Sequence, residues 1–352
     1  MFRRASPRSF AAALRDLEAP EPEVRVAAAA DLASHAANER DPVERTLART
    51  LADPAPAVRA AAALALADAF GPTDPGEPPA SLQPPTHDAL RAAIDDEAPE
   101  VRAMALAAVG ELELRVCAAA VAGRLADEQP EVRFQAVIAY PRVAARAEAI
   151  AALVAATEDD DPLIRHIALR MAEEVGGEQP DDSVDDALLE RARALLDDPA
   201  TVVQVAAAIV LGRAGRRDGA ALLADVVNGE ITTSEAEDEA AAVELCGELR
   251  IKAARDGLRK RAFSGGWLTR RDTFAWQARV ALAQLGNARA ERWILSELTA
   301  FTRERRCLAV EAVARARLPA ARPLLEAMRG DPARAEPEAV QKALAALDAD
   351  GD

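Results

Sequence analysis

Apolar positions recur along the chain in steps of four, three and four. After Pro130 they fall at Val132, Ala136, Ala139 and Val143; after Pro99 at Val101, Ala105, Ala108 and Leu112; after Pro162 at Ile164, Ala168, Met171 and Val175. Such steps draw one stripe down an α-helix. The alternation of a strand is missing, which excludes propellers and β-solenoids. Shorter apolar-periodic segments precede these helices, at residues 43–51, 88–94, 116–125, 147–157 and 187–196. The pattern therefore predicts a repeating unit of helix A, tight turn and helix B.

Each turn carries the same signature. Asp127-Glu128-Gln129-Pro130-Glu131-Val132-Arg133 is matched by Asp53…Pro56-Ala57-Val58-Arg59, Asp96…Pro99-Glu100-Val101-Arg102 and Asp159…Pro162-Leu163-Ile164-Arg165. An acid stands six residues before an Arg, a Pro three before and a β-branched residue one before. Pro suits the first helical turn, where its missing N–H breaks no bond. The acid can accept from exposed N–H groups at the positive helix end. Pro22-Glu23-Val24-Arg25 lacks the acid, and Asp197…Val202-Val203 lacks the Arg. From Arg25 to Val203 the anchors are 34, 43, 31, 32 and 38 residues apart, a period typical of helical arrays.

This pattern resembles the HEAT repeat, and more closely its short form in the phycobilisome-lyase-type HEAT-like families. The resemblance implies an all-α fold, an α-α superhelix of about nine helical hairpins. It also implies a ladder between neighbouring repeats, with roles for Asp53 and Arg59, Asp96 and Arg102, Asp127 and Arg133, and Asp159 and Arg165. It does not extend to Ala19/Arg25 or Asp197/Val203, where one member is missing. The signatures of ankyrin and tetratricopeptide repeats are absent.

In chain order, a single solenoid over residues 1–352 is expected. Residues 1–40 read as a capping repeat, because its stripe of Val24 and Ala28 runs into Asp31 and His35, as expected of a face turned to water. Residues 41–215 hold the well-formed repeats. Six prolines in residues 71–85 (GPTDPGEPPASLQPP) make that stretch a loop inserted between repeats. Residues 176–185 form a second break. Divergent helical pairs continue over 216–352: 219–227 with 235–249, 253–263 with 273–285, 288–300 with 303–315, and 320–329 with 336–347.

Composition sharpens this picture. Half the residues are hydrophobic but only 3% are aromatic, so Ala-rich helices must accumulate stability over many interfaces, at about 0.8 kcal/mol per buried carbon. The net charge of −16 disfavours whole-surface binding to nucleic acid or anionic membranes. Charge is uneven, however. Residues 250–322 carry seventeen Arg or Lys against six Asp or Glu, a net of +11, and residues 323–352 a net of −4, which leaves −23 on residues 1–249. All three tryptophans, Trp267, Trp276 and Trp293, lie in the basic section. Trp276 and Trp293 sit on helices and read as core. Trp267 with Arg270 and Arg271 is expected in an exposed loop beside Arg259, Lys260 and Arg261, a composition suited to a binding hot spot.

Candidate catalytic chemistry is sparse. His35, His87 and His166 are isolated, so the His-Glu pairs of the di-iron HEAT-repeat hydroxylase are missing. There is no zinc-ligand spacing, phosphate loop or nucleophile elbow. Acids such as Asp159-Asp160-Asp161 read as helix-entry caps. The bilin-lyase relatives bind a tetrapyrrole, but only the repeat scaffold matches them. The expectation is a non-enzymatic scaffold or adaptor without cofactor or metal, binding another protein, with an acidic surface the kind that suits the basic section. Nucleic-acid binding through 250–322, as in HEAT-like glycosylases, is the first alternative, and a lyase-like or other cofactor-binding role the second. Cys117, Cys246 and Cys307 form no disulfide framework, and the longest uncharged run is too short to span a membrane. A cytoplasmic protein is expected.

Overall fold

The computed structural model describes residues 8–74, 76–176, 186–233, 235–264 and 272–349. Among them are twenty α-helices and no strand. In chain order they alternate as ten A/B pairs, one more than the repeat count suggested. The chain divides into two compact units, Met1–Arg191 and Ala192–Asp352.

The first unit holds α1 (Phe10–Asp16), α2 (Pro22–Ala33), α3 (Arg40–Thr50), α4 (Pro56–Phe70), α5 (Pro84–Ile94), α6 (Pro99–Glu111), α7 (Ala118–Arg124), α8 (Pro130–Val143), α9 (Arg146–Ala156) and α10 (Pro162–Gly176); the unit boundary falls within α11 (Asp186–Ala194). Helices α2, α4, α6, α8 and α10 pack in succession, while α3 packs on α5 and α5 on α7. This is stacking of hairpins side by side. The anchor prolines open α4, α6, α8 and α10, each in the first turn.

The stripes face the core. Val101, Ala105, Ala108 and Leu112, and Val132, Ala136, Ala139 and Val143, are buried, as are Ile164, Ala168 and Met171. The B helices bury more than that single stripe, because each touches an A helix and two B neighbours. On α6, Ala103, Leu106, Val109 and Gly110 are buried as well. Small residues bring the backbones close: a Cβ on Gly110 would lie 3.0 Å from Ala139 Cα on α8.

Two expectations need adjustment here. Asp31 on α2 and His35, just past its end, do not simply face water. Asp31 accepts from Arg8 at 2.6 Å, His35 Nε2 lies 2.8 Å from the Arg8 carbonyl, and the imidazole packs edge-on against Phe10 of α1. Of the Pro-rich residues 71–85, Pro84 and Pro85 form the first turn of α5, where proline lacks no needed bond. Just before them Leu82 is buried, and the buried Glu44 of α3 accepts from Gln83 N–H at 2.6 Å and from the Thr86 hydroxyl at 2.7 Å. An acid from α3 thus caps the positive end of α5. Of the second predicted break, residues 177–185 lie outside the described residues.

The second unit holds α12 (Thr201–Arg213), α13 (Ala220–Asn228), α14 (Ala236–Glu248), α15 (Arg255–Phe263), α16 (Ala275–Gln284), α17 (Ala288–Glu297), α18 (Arg303–Ala316), α19 (Arg322–Met328) and α20 (Pro337–Asp348). Here too α12, α14, α16, α18 and α20 pack in succession. A Cβ on Gly247 of α14 would meet Ala281 Cα of α16 at 2.5 Å, so only hydrogen fits at that crossing.

Candidate interaction surface

Buried ion pairs link neighbouring hairpins of the first unit. Arg25, Arg59, Arg102 and Arg133 each use Nε and Nη2 to grip both carboxylate oxygens of Asp53, Asp96, Asp127 and Asp159, at 2.7–3.0 Å. The fork matches the carboxylate in two parallel bonds. The third arm, Nη1, donates to the backbone carbonyl six residues back in the Arg's own turn: Ala19, Asp53, Asp96 and Asp127. Arg165 makes the same bond to Asp159. Each Asp also accepts the N–H two residues on, at Ala55, Ala98, Gln129 and Asp161. One Arg therefore fastens its own turn and the next.

Burial pushes these four aspartates towards the neutral form, but the Arg partners and the backbone N–H bonds outweigh it. All four carboxyls sit below their ordinary range. The most enclosed rung is Arg102–Asp127, whose side chains are 7% and 2% exposed.

Sequence spacing missed three parts of this system. Arg25 joins the ladder although Ala19 stands where an acid was expected: its fork reaches Asp53, and it needs only the Ala19 carbonyl. The decayed copy is Asp198…Gln204, one residue beyond Asp197…Val203. There Asp198 accepts the Ala200 N–H, and Gln204 Nε2 donates to the Asp198 carbonyl. In the second unit Arg306 Nη1 donates to the carbonyls of Ala300 and Phe301, while Nε and Nη2 reach the carbonyls of Arg334 and Ala333. The anchor survives there with backbone oxygens in place of an Asp. Its turn has neither the Asp nor the Pro, which hid it.

The basic section is partly structural. Arg261 donates to the Val227 carbonyl at 2.9 Å and pairs with Glu239 at 2.6 Å, and its side chain is 12% exposed. This corrects its placement among open partner-binding residues, because the guanidinium joins α13, α14 and α15. Arg259 and Lys260 are exposed; Arg259 has only Asp256, 3.5 Å away on its own helix. Trp267, Arg270 and Arg271 lie outside the described residues. Trp276 and Trp293 are half-buried and pack edge to face at 4.9 Å, with the Arg279 guanidinium 4.1 Å above Trp293 and Arg289 4.0 Å above Phe263.

One residue the sequence reading passed over stands out. Phe301, in the turn between α17 and α18, is 98% exposed. It stands five residues before Arg306, the place that Pro54, Glu97, Glu128 and Asp160 hold before the ladder arginines. An aromatic at a position otherwise given to proline or acids was the available signal.

The solved structures with a similar course include YibA from E. coli, at a TM-score of 0.56 and 15% identity over 82% of this chain and all of that one. The chain has the HEAT-like α-solenoid fold. Other matches score lower. An engineered protein gives 0.45 at 18% identity, covering 96% of this chain and 98% of that one. The complex of CpcE and CpcF of phycocyanin lyase from Nostoc sp. PCC7120 gives 0.45 at 16% identity, covering 74% and 96%. No protein-family model matches the chain, and no curated protein does. The lyase complex corrects one expectation: a matched structure belongs to an enzyme, so the exclusion of enzymatic activity does not stand. At these identities the likeness assigns no reaction. Among the described residues no helix is long and apolar enough to cross a membrane.

Proposed function

We propose that the chain is a protein-binding scaffold whose docking surface for an acidic partner lies on the basic section of the second unit. The observation that carries this reading is Phe301, an almost fully exposed aromatic within a segment of net charge +11. An exposed aromatic in a basic stretch of sequence supplies apolar contact area and charge together. Arg259 and Lys260 add exposed cations, and Trp267, Arg270 and Arg271 extend the same chemistry in sequence. Complementary charge steers encounter with an acidic protein surface. A cytoplasmic setting fits three unpaired thiols, two of them buried.

The test is capture of partners by the intact protein, repeated with Phe301→Ser, Arg259→Ser and Lys260→Ser combined, and separately with Trp267, Arg270 and Arg271 changed to Ala. Both variants are expected to fold normally and lose the captured protein. Undiminished capture by both removes this surface from the reading. If nucleic acid is captured instead, with log affinity falling linearly against log salt, phosphate contacts replace the acidic protein.

A further inference from the structure

The buried stripe of each B helix in the first unit is accompanied by a second stripe, offset by one residue, that is not buried. On α6 it is Glu100, Met104, Ala107 and Glu111, each one place before Val101, Ala105, Ala108 and Leu112. Helices α4, α8 and α10 keep the same register at 57–68, 131–142 and 163–174. Steps of four, three and four put each set on one side of its helix. These sides line up from helix to helix. Arg142, last of its set on α8, lies 3.2 Å from Glu111 of α6 and 3.8 Å from Glu174 of α10.

The rows that run across the helices differ in chemistry. The two middle rows hold Ala61 and Leu64, Met104 and Ala107, and Ile138 and Ile167, none of them buried, with Leu64 41% exposed. Gln135 and Arg170 are their polar members. A helix side turned to water ordinarily carries polar residues throughout, and an apolar band with a polar rim marks a contact surface. The outer rows are acidic. Glu100 and Glu131 stand on one side of the band, and Asp68, Glu111 and Glu174 on the other. Arg142 takes up Glu111 and Glu174, whereas the carboxylates of Asp68, Glu100 and Glu131 have no hydrogen-bond or ion-pair partner among the described residues. Band and rim together carry five carboxylates and two arginines.

We propose that this face docks a basic amphipathic helix of a partner protein, with its apolar side on the middle rows and its Lys and Arg on the two acidic rows. The dimensions select a helix over an extended segment. The outer rows stand eleven residues apart along a B helix, which is about 16 Å at 1.5 Å per residue. A helix about 10–12 Å across, with cationic side chains reaching out on both flanks, meets both rows at once. An extended strand, whose neighbours lie only about 4.8 Å away, leaves one row unmet. Four B helices packed about 9 Å apart span about 27 Å between the outermost axes, the length of a helix of about 18 residues. This surface is independent of the one placed on the second unit and takes a partner of the opposite charge.

The experiment is fluorescence anisotropy of a labelled helical peptide of about 18 residues, titrated with the full chain at several salt concentrations. The probe carries Leu on one helical side and Lys on the other. One control has the same composition in scrambled order, and a second has Glu in place of Lys. The Leu/Lys helix is expected to bind one to one, at least about tenfold more tightly than either control. Glu100→Gln with Glu131→Gln alters only exposed, unpaired carboxylates, so the chain should unfold at the same urea midpoint. That variant should bind the probe about fivefold more weakly and with a shallower salt dependence. Leu64→Gln with Ile138→Gln should weaken it about tenfold or more. The proposal is overturned if the probe does not bind, if either control binds as tightly, or if the Glu100→Gln/Glu131→Gln chain binds the probe as wild type does. Sedimentation of the wild-type chain as a dimer that Leu64→Gln/Ile138→Gln dissociates also overturns it, because a second copy then covers the band.

Discussion

Removing Arg102 tests whether the ladder supports the fold. Its guanidinium makes two bonds to Asp127, at 2.7 and 3.0 Å, and two to the carbonyls of Asp96 and Glu97, at 3.0 and 3.2 Å. In the intact chain the Asp127 side chain is 2% exposed, and Arg102→Ala leaves it only the Gln129 N–H at 3.1 Å and Arg124 at 3.2 Å as partners. Breaking a buried pair on one side typically costs about 3–5 kcal/mol. The two surviving partners reduce this, so a loss of about 2–4 kcal/mol is expected. Urea unfolding followed by far-UV circular dichroism measures it. Arg315→Ala is the control: the Arg315–Glu248 pair is 38% and 39% exposed and should contribute no more than about 1 kcal/mol. The pH dependence has a definite sign. Asp127 is held below its ordinary value in the folded chain, so its stabilisation is complete above the unfolded value of about 3.9 and disappears as pH falls through the lower folded value. The gap between wild type and Arg102→Ala should therefore be full at pH 7 and shrink below about pH 4. A loss under about 1 kcal/mol at pH 7, or a gap unchanged at pH 3, refutes the reasoning.

Further outcomes are expected elsewhere. Val132→Asp places a charge at a fully buried position of α8 and should destabilise by at least about 3 kcal/mol, read as a lower urea midpoint. Gly247→Ala drives a methyl to 2.5 Å from Ala281 Cα and should destabilise by about 1–3 kcal/mol. Gly123→Ala, exposed on α7 with nothing within 4 Å of the new methyl, should stabilise by about 0.5–1 kcal/mol; equal effects at the two glycines would contradict the close α14–α16 crossing. Burial pushes the Cys246 thiol up to about 12, so iodoacetamide at pH 8 should leave it unmodified in the native chain and label it after unfolding, as peptide mass spectrometry would report.

The helices were written into the chain because their signals are local. A four-three-four stripe, a proline in the first turn and an acid in the turn before it act within one hairpin, and α4, α6, α8 and α10 begin at Pro56, Pro99, Pro130 and Pro162. The sequence also carried both halves of each rung, but their spacing of six joins residues that do not pair with each other: Arg59 touches only the Asp53 carbonyl and gives its fork to Asp96. That partner is chosen by how one hairpin lies on the next. Stacking likewise decided that Arg261 belongs to the interior, that Arg306 anchors its turn without an acid, and that Glu44 caps α5 across the Pro-rich insertion. The exposure of Phe301 is tertiary in the same sense. Periodicity along a chain specifies which face of a helix is apolar, whereas contacts between residues tens of positions apart depend on the packing of backbones that no single repeat contains.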